Sequence, residues 1–252
     1  MGSLSPSFGE KEKDSTSIDA PVDQYTKFLN KDIKGLKIGI IKESLQEGIE
    51  SEVKAAFELT INKLKDKGAI VEEVSLPLTF KYGISVYYLI AMCEASTNLA
   101  KLCGIRYGAE EKPEGNFNEY FSKVRSENFN EEAKRRIILG TFARMSGFRD
   151  AYYIKAAKIR TLIINEYKEL FKNYDVLVSP TMPNVAPKIE DVKKLTPLQN
   201  YMMDVLVCGP NLAGLPHISI PVGEQTLPIG FMIMGDHLQE SKIIQVASEV
   251  EK

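Results

Sequence analysis

The sequence predicts an α/β protein with a parallel strand pair, and three stretches carry that expectation. Leu36-Lys-Ile-Gly-Ile-Ile-Lys42 is a short β-branched run. Val53, Phe57, Thr60, Ile61 and Leu64 then recur at helical spacing until Gly68, and Ala69-Ile-Val-Glu-Glu-Val-Ser-Leu76 reads as a second strand. That order is a βαβ unit, whose strands pair in parallel through a right-handed crossover. Further on, Phe148, Tyr152, Ala156, Ile159, Ile163, Tyr167 and Leu170 step by threes and fours, which predicts one long amphipathic helix ending at Asn173. Asp175-Val-Leu-Val-Ser179 is then a buried strand, stopped by Pro180-Thr-Met-Pro183 because proline cannot donate to the ladder. A strand end followed by a rigid loop is a common place for a site.

The remaining elements follow in order. Residues 1–34, rich in Ser, Lys, Asp, Glu and Pro, read as a lead-in loop draped over something else, and residues 35–252 as the folded body. The apolar density from Val86 to Leu102 predicts a buried helix with Tyr87 and Tyr88 at its start, and a polar connection runs on through Asn130. A helix through Tyr201-Met-Met-Asp204 leads to Asn211-Leu-Ala-Gly-Leu-Pro216. Two strands punctuated by Gly and Pro come next, His217-Ile-Ser-Ile-Pro-Val-Gly223 and Pro228-Ile-Gly-Phe-Met-Ile-Met-Gly235, before an amphipathic helix over residues 239–252.

Composition narrows the function classes. With 32 Lys and Arg against 34 Asp and Glu, the net charge of −2 gives no broad field to attract nucleic acid or a membrane surface, so any RNA connection must come through a partner. Cys93, Cys103 and Cys208 are odd in number and lack C-x-x-C or Cys/His spacing, which points to a reducing cytoplasm. No apolar run approaches the roughly 18 to 20 residues of a membrane span, and the start lacks the features of a signal peptide.

The chemistry-bearing motifs are few. His217 and His237 have no acid or thiol at ligand spacing, so no metal site is expected, and no Walker A loop, G-x-G-x-x-G or G-x-S-x-G elbow occurs. What remains are polar residues in apolar company. Arg136 opens Arg-Ile-Ile-Leu-Gly-Thr-Phe; its guanidinium either snorkels outward, the reading the pattern favours, or holds a carboxylate through its planar fork. Asp204 sits in Met-Met-Asp-Val-Leu-Val, which is costly unless the acid is paired or faces a wet cleft, and an ion pair and a ligand contact are both open. Tyr87 and Tyr88 read as core packing.

Several segments then stop being generic. Lys134-Arg-Arg-Ile-Ile-Leu-Gly-Thr-Phe142, Asp150-Ala-Tyr-Tyr153 with Lys158-Ile-Arg-Thr-Leu162, Asp175-Val-Leu-Val-Ser-Pro-Thr181, Asn211-Leu-Ala-Gly-Leu-Pro216 and Pro228-Ile-Gly230 resemble, in order and spacing, the carboxy-terminal half of amidase-signature enzymes. Glu94-Ala-Ser96 with Asn98-Leu-Ala100, Gly104-Ile-Arg-Tyr-Gly108 and Lys13-Asp-Ser-Thr-Ser17 are similar to the branch formed by the A subunits of glutamyl-tRNA(Gln)/aspartyl-tRNA(Asn) amidotransferases.

The resemblance implies a mixed, largely parallel sheet sandwiched by helices, and amide hydrolysis by a Ser-cisSer-Lys triad. It implies glutamine as the amide, with ammonia passed to a B subunit that uses ATP and magnesium to turn Glu-tRNA(Gln) into Gln-tRNA(Gln), and a C subunit clasping the pair. No cofactor is implied for this chain itself. It also implies that Arg136 holds the substrate α-carboxylate, that Asp204 receives its α-ammonium, and that Tyr87 lines the pocket, reversing the snorkelling reading of Arg136. The GGSSGGS loop and upstream lysine that supply the triad do not occur in the sequence. The expectation is a carboxy-terminal portion, inactive alone, with strand edges and apolar helix faces left uncovered. A catalytically dead assembly module with this fold, or a hydrolase of other amides, are the rival expectations.

Overall fold

The computed structural model describes Ile18, residues 20–223 and residues 227–251. Most of the lead-in, with the Lys13-to-Ser17 tag, lies outside the described residues. In chain order the elements are β1 (Lys37–Ile41), α1 (Ser51–Asp66), β2 (Ile70–Val74), α2 (Pro77–Asn98), α3 (Phe117–Asn128), α4 (Glu131–Arg144), α5 (Lys155–Leu170), β3 (Val176–Pro180), α6 (Ile189–Val192), α7 (Pro197–Met203), α8 (Cys208–Ala213), β4 (His217–Val222), β5 (Ile229–Gly235) and α9 (Glu240–Val250). They form two compact units, one up to Ile84 and again from Leu162, the other spanning Ser85–Thr161.

The first unit holds a five-stranded sheet in the order β2-β1-β3-β5-β4. β1 pairs in parallel with β2 and with β3, as the βαβ reading requires, while β5 runs antiparallel to both β3 and β4. The sheet is therefore mixed. Every residue of β3 is buried, which is why Val176-Leu-Val178 runs apolar with no alternation, and the hydroxyl of buried Ser179 donates to the Pro180 carbonyl. Ile38, Val176, Val178, Phe231 and Ile233 join Phe57, Ile61 and Leu64 of α1 and Ile243 and Val246 of α9 in one core. Phe57 stacks on Phe231 with ring centroids 5.1 Å apart. Leu177, Met232 and Met234 alternate to the other face and are buried as well. Gly68 stops α1 at φ 87°, a left-handed conformation that costs glycine nothing. The lead-in is not wholly loop: Tyr25–Phe28 is a turn of 3-10 helix and Ile33 is part of the core.

Three expectations change. α2 begins at Pro77, nine residues before Val86, so Tyr87 and Tyr88 lie in the middle of the helix and not at its start. A proline at the first helical position needs no hydrogen-bond acceptor, and the next two amides are held by a side chain distant in sequence, as described below. The connection expected through Asn130 contains α3, started by a capping box in which Asn116 accepts from Asn118 and Glu119 and the Glu119 carboxylate accepts from Asn116. The long helix expected from Phe148 is broken by a π turn, Asp150–Ile154, in which the Ile154 amide reaches back to the Arg149 carbonyl. The added residue rotates the apolar stripe by roughly a quarter turn. Only Ala156, Ile163 and Tyr167 of it are buried, and Phe148 and Tyr152 are exposed beside Phe142. No helix among the described residues is long and apolar enough to cross a membrane.

Candidate functional site

In the first unit, the chain leaves β3 through Pro180 into the loop that the proline pattern marked. The Thr181 amide donates to the Gly230 carbonyl at 2.8 Å, extending the pairing of β3 with β5. The Thr181 and Ser219 hydroxyls lie 2.6 Å apart. A Cβ at Gly230 would stand 2.6 Å from Thr181 Oγ1 and 2.7 Å from Ser219 Oγ, so the hydroxyl pair exists only because residue 230 has no side chain. Thr181, Met182, Met203, Ser219 and Gly230 line a cavity of about 480 Å³ there.

Asp204 follows Met203 of that wall. α7 is set by a second capping box, Thr196 with Gln199, and by Pro197 at its first position, and Asp204 is its C-terminal cap residue. Its carbonyl accepts from the Val207 and Cys208 amides at 3.1 and 3.2 Å, turning the chain directly into α8. The carboxylate is half-buried, and it adds to the burial that pushes the Cys208 thiol up to about 12. α8 ends at Gly214, φ 69°, where the Leu215 amide donates to Pro210. This is the physical content of Asn211-Leu-Ala-Gly-Leu-Pro216: a short helix, a left-handed stop and an exit into β4.

In the second unit, Arg136 lies on α4 and Tyr87 and Tyr88 on α2. The Arg136 guanidinium is 5.9 Å from the centre of the Tyr88 ring, and Tyr87 meets Tyr88 edge to face with centroids 5.3 Å apart. Glu132 accepts from Arg136 Nε at 2.8 Å and also pairs with Arg135. The head group thus has both the Tyr88 ring and the Glu132 carboxylate as neighbours, with its side chain 38% exposed. Gly140 lets α4 approach α2, because a Cβ there would stand 2.0 Å from the Met92 carbonyl oxygen.

Arg136 and Tyr87 are therefore near one another in one unit, and Asp204 belongs to the other. Sequence reasoning missed Tyr88 as the ring under Arg136, the Thr181 and Ser219 pair, and Glu132. The i, i+4 spacing of Glu132 and Arg136 was a readable signal; the hydroxyl pair, 38 residues apart in sequence, left none.

A family model described as Amidase matches residues 4–244. The chain belongs to the amidase family. This amidase chain is 45% identical over 246 residues to the A subunit of glutamyl-tRNA(Gln) amidotransferase from Halothermothrix orenii, an alignment covering 97% of the chain and 51% of that protein. It is 46% identical over 244 residues to the same protein of Streptococcus mutans, covering 96% and 50%. The crystal structure of the Thermotoga maritima counterpart matches with a TM-score of 0.71 at 33% identity, covering 95% of the chain and 47% of that structure. A bacterial aryl acylamidase of the amidase-signature family matches with a TM-score of 0.70 at 19% identity, a likeness of fold alone. The amidase chain spans about half the length of the curated relatives it matches.

Proposed function

We propose that this amidase chain contributes the amino-acid-binding part of a glutamine amidohydrolase, the A subunit of an amidotransferase, which supplies ammonia for converting Glu-tRNA(Gln) into Gln-tRNA(Gln). The supporting observation is the 45 to 46% identity, across nearly the whole chain, to proteins named as the A subunit of that amidotransferase. In this reading the planar fork of Arg136 binds the α-carboxylate of glutamine, Asp204 receives the α-ammonium, and Tyr87 borders the pocket. Two opposite charges suit the zwitterionic end of an amino acid and discriminate against plain amides, which satisfy neither. Glu132 and the Tyr88 ring orient the guanidinium, leaving substrate binding less rotamer entropy to remove. In this reading the attacking serine and its lysine belong to the GGSSGGS-bearing half of the A subunit, a loop that these 252 residues do not contain. Amidation of the tRNA, with ATP and magnesium, falls to a B subunit, and a C subunit completes the assembly in the cytoplasm.

The test has two parts. The chain alone, incubated with glutamine, releases no more ammonia than buffer; turnover above that level would mean that a nucleophile sits in this sequence. Joined to the amino-terminal half of the Streptococcus mutans relative, it hydrolyses glutamine, and Arg136→Ala or Asp204→Ala each raise KM for glutamine by about 10 to 100-fold, the weight of a lost charge-assisted contact. An unchanged KM in both variants would remove the pocket assignment, and loss of glutamine preference in the unsubstituted fusion would favour a hydrolase of other amides.

A further inference from the structure

The second unit has a cavity of about 450 Å³ where the last turns of α2 face the end of α4 and the π turn. Its polar lining comes from Glu94, Thr97 and Asn98 on one side and Arg144, Arg149 and Tyr153 on the other. The groups on α2 are largely self-satisfied: the Thr97 hydroxyl donates to the Cys93 carbonyl at 3.1 Å and the Asn98 amide to the Glu94 carbonyl at 3.0 Å. The arginines are not. Arg144 Nη2 donates to Ser96 Oγ at 2.9 Å, but its Nε is buried with no acceptor among the described residues.

A buried N–H without an acceptor is costly, and on a guanidinium more so. Arg149 brings a second cation to the same wall and has no ion pair among the described residues. The charge of Arg144 reaches the cavity wall, where it opposes the burial that raises the Cys93 thiol.

We propose that this cavity is a binding site for a small oxyanion, the phosphate or carboxylate group of a small molecule, held by Arg144 and Arg149 with the Tyr153 hydroxyl as a further donor. One such group has enough lone pairs to accept from both guanidinium forks where Arg144 and Arg149 line the cavity. Glu94 on the rim leaves the lining with a net charge near +1, which suits a ligand of one or two negative charges and not a polyanion such as a nucleic-acid backbone. The cavity is larger than one phosphate, so the anionic head would anchor a small organic body beside the Cys93 thiol.

Titration of the ¹⁵N-labelled chain at constant ionic strength, once with inorganic phosphate and once with acetate, tests this through the Nε–H signals of its arginines. The expected result is a saturable shift of Arg144 and Arg149 at millimolar concentration with at least one anion, while exposed Arg106 follows only a shallow linear drift. Saturation with phosphate alone assigns a phosphate ligand, and saturation with acetate alone a carboxylate. Arg149→Gln, at an exposed position, weakens the binding at least about tenfold. The proposal is overturned if neither anion saturates, if Arg106 shifts in parallel, or if Arg149→Gln binds as the unsubstituted chain does. Arg144→Gln abolishes the response; should that variant unfold, the Arg149→Gln titration alone decides.

Discussion

The start of α2 depends on one carboxylate. Glu166 on α5 accepts from the Leu78 amide at 2.8 Å through one oxygen, and from the Thr79 amide and hydroxyl, each at 2.9 Å, through the other. Pro77 has no N–H, and the Phe80 amide already reaches the Leu76 carbonyl at 3.1 Å. Glu166 therefore satisfies the two first-turn donors that the helix itself leaves open, and places a negative charge at its positive end. Glu166→Ala strands both amides and removes the carboxylate acceptor of the buried Thr79 hydroxyl. A lost cap is worth about 1 kcal/mol, and the charge and the hydroxyl bond add about 2 more, so the expected loss is about 3 kcal/mol. With an m-value of about 3 kcal/mol/M, the urea midpoint of the chain falls by about 1 M. Glu166→Gln keeps one oxygen and loses about half as much. A midpoint within about 0.3 M of the parent for Glu166→Ala, or identical shifts for the two variants, would refute the capping argument.

Other consequences are equally open to measurement. Gly140→Ala drives a Cβ into the Met92 carbonyl and should cost about 3 kcal/mol or more, read as a fall in the thermal midpoint; an unchanged midpoint would mean the α2 and α4 approach is looser than described. Asp175 is penalised by burial but held below its usual range by the Lys242 ammonium at 2.6 Å and the Lys37 amide at 2.9 Å. A depressed folded value means its stabilisation is present above the unfolded value of about 4 and disappears as pH falls through the folded one. Asp175→Asn should therefore cost stability at pH 7 and flatten the acid limb of a stability–pH profile, and parallel profiles would contradict this. With burial pushing the Cys208 thiol up to about 12, and Cys93 buried as well, a thiol reagent at pH 8 should label half-buried Cys103 alone in the folded chain and all three thiols in denaturant.

What could be read from the sequence was whatever is local. The βαβ unit announced itself because β-branched runs, a 3.6-residue stripe and a stopping glycine lie within forty residues. The buried strand β3 was readable for the same reason. The early start of α2 was not, because its cap lies 88 residues away on α5. α3 carried its signal in Asn116 and Glu119, but only Val124 of its own residues is buried, so no apolar stripe drew attention to it. The π turn misled the periodicity argument, since a single added residue leaves composition untouched and moves every later side chain around the axis. Of the candidate site, Arg136 and Asp204 drew notice by being charged among apolar neighbours. Tyr88, Gly140 and the hydroxyl pair gain their meaning only from what packs against them.

The parallel pairing of β1 with β3 has a kinetic consequence. All of the second unit is encoded between β2 and β3, so a chain emerging from the ribosome holds β1 and β2 long before β3, β5 and β4 exist. The inserted unit is continuous in sequence and can fold as it emerges, while the sheet must wait, its β1 edge open, for the last third of the chain. Closing that loop costs only the logarithm of its length, so the insertion is cheap at equilibrium and expensive in time. The interval during which β1 offers an unpaired edge is set by translation, and chaperone dependence should scale with it.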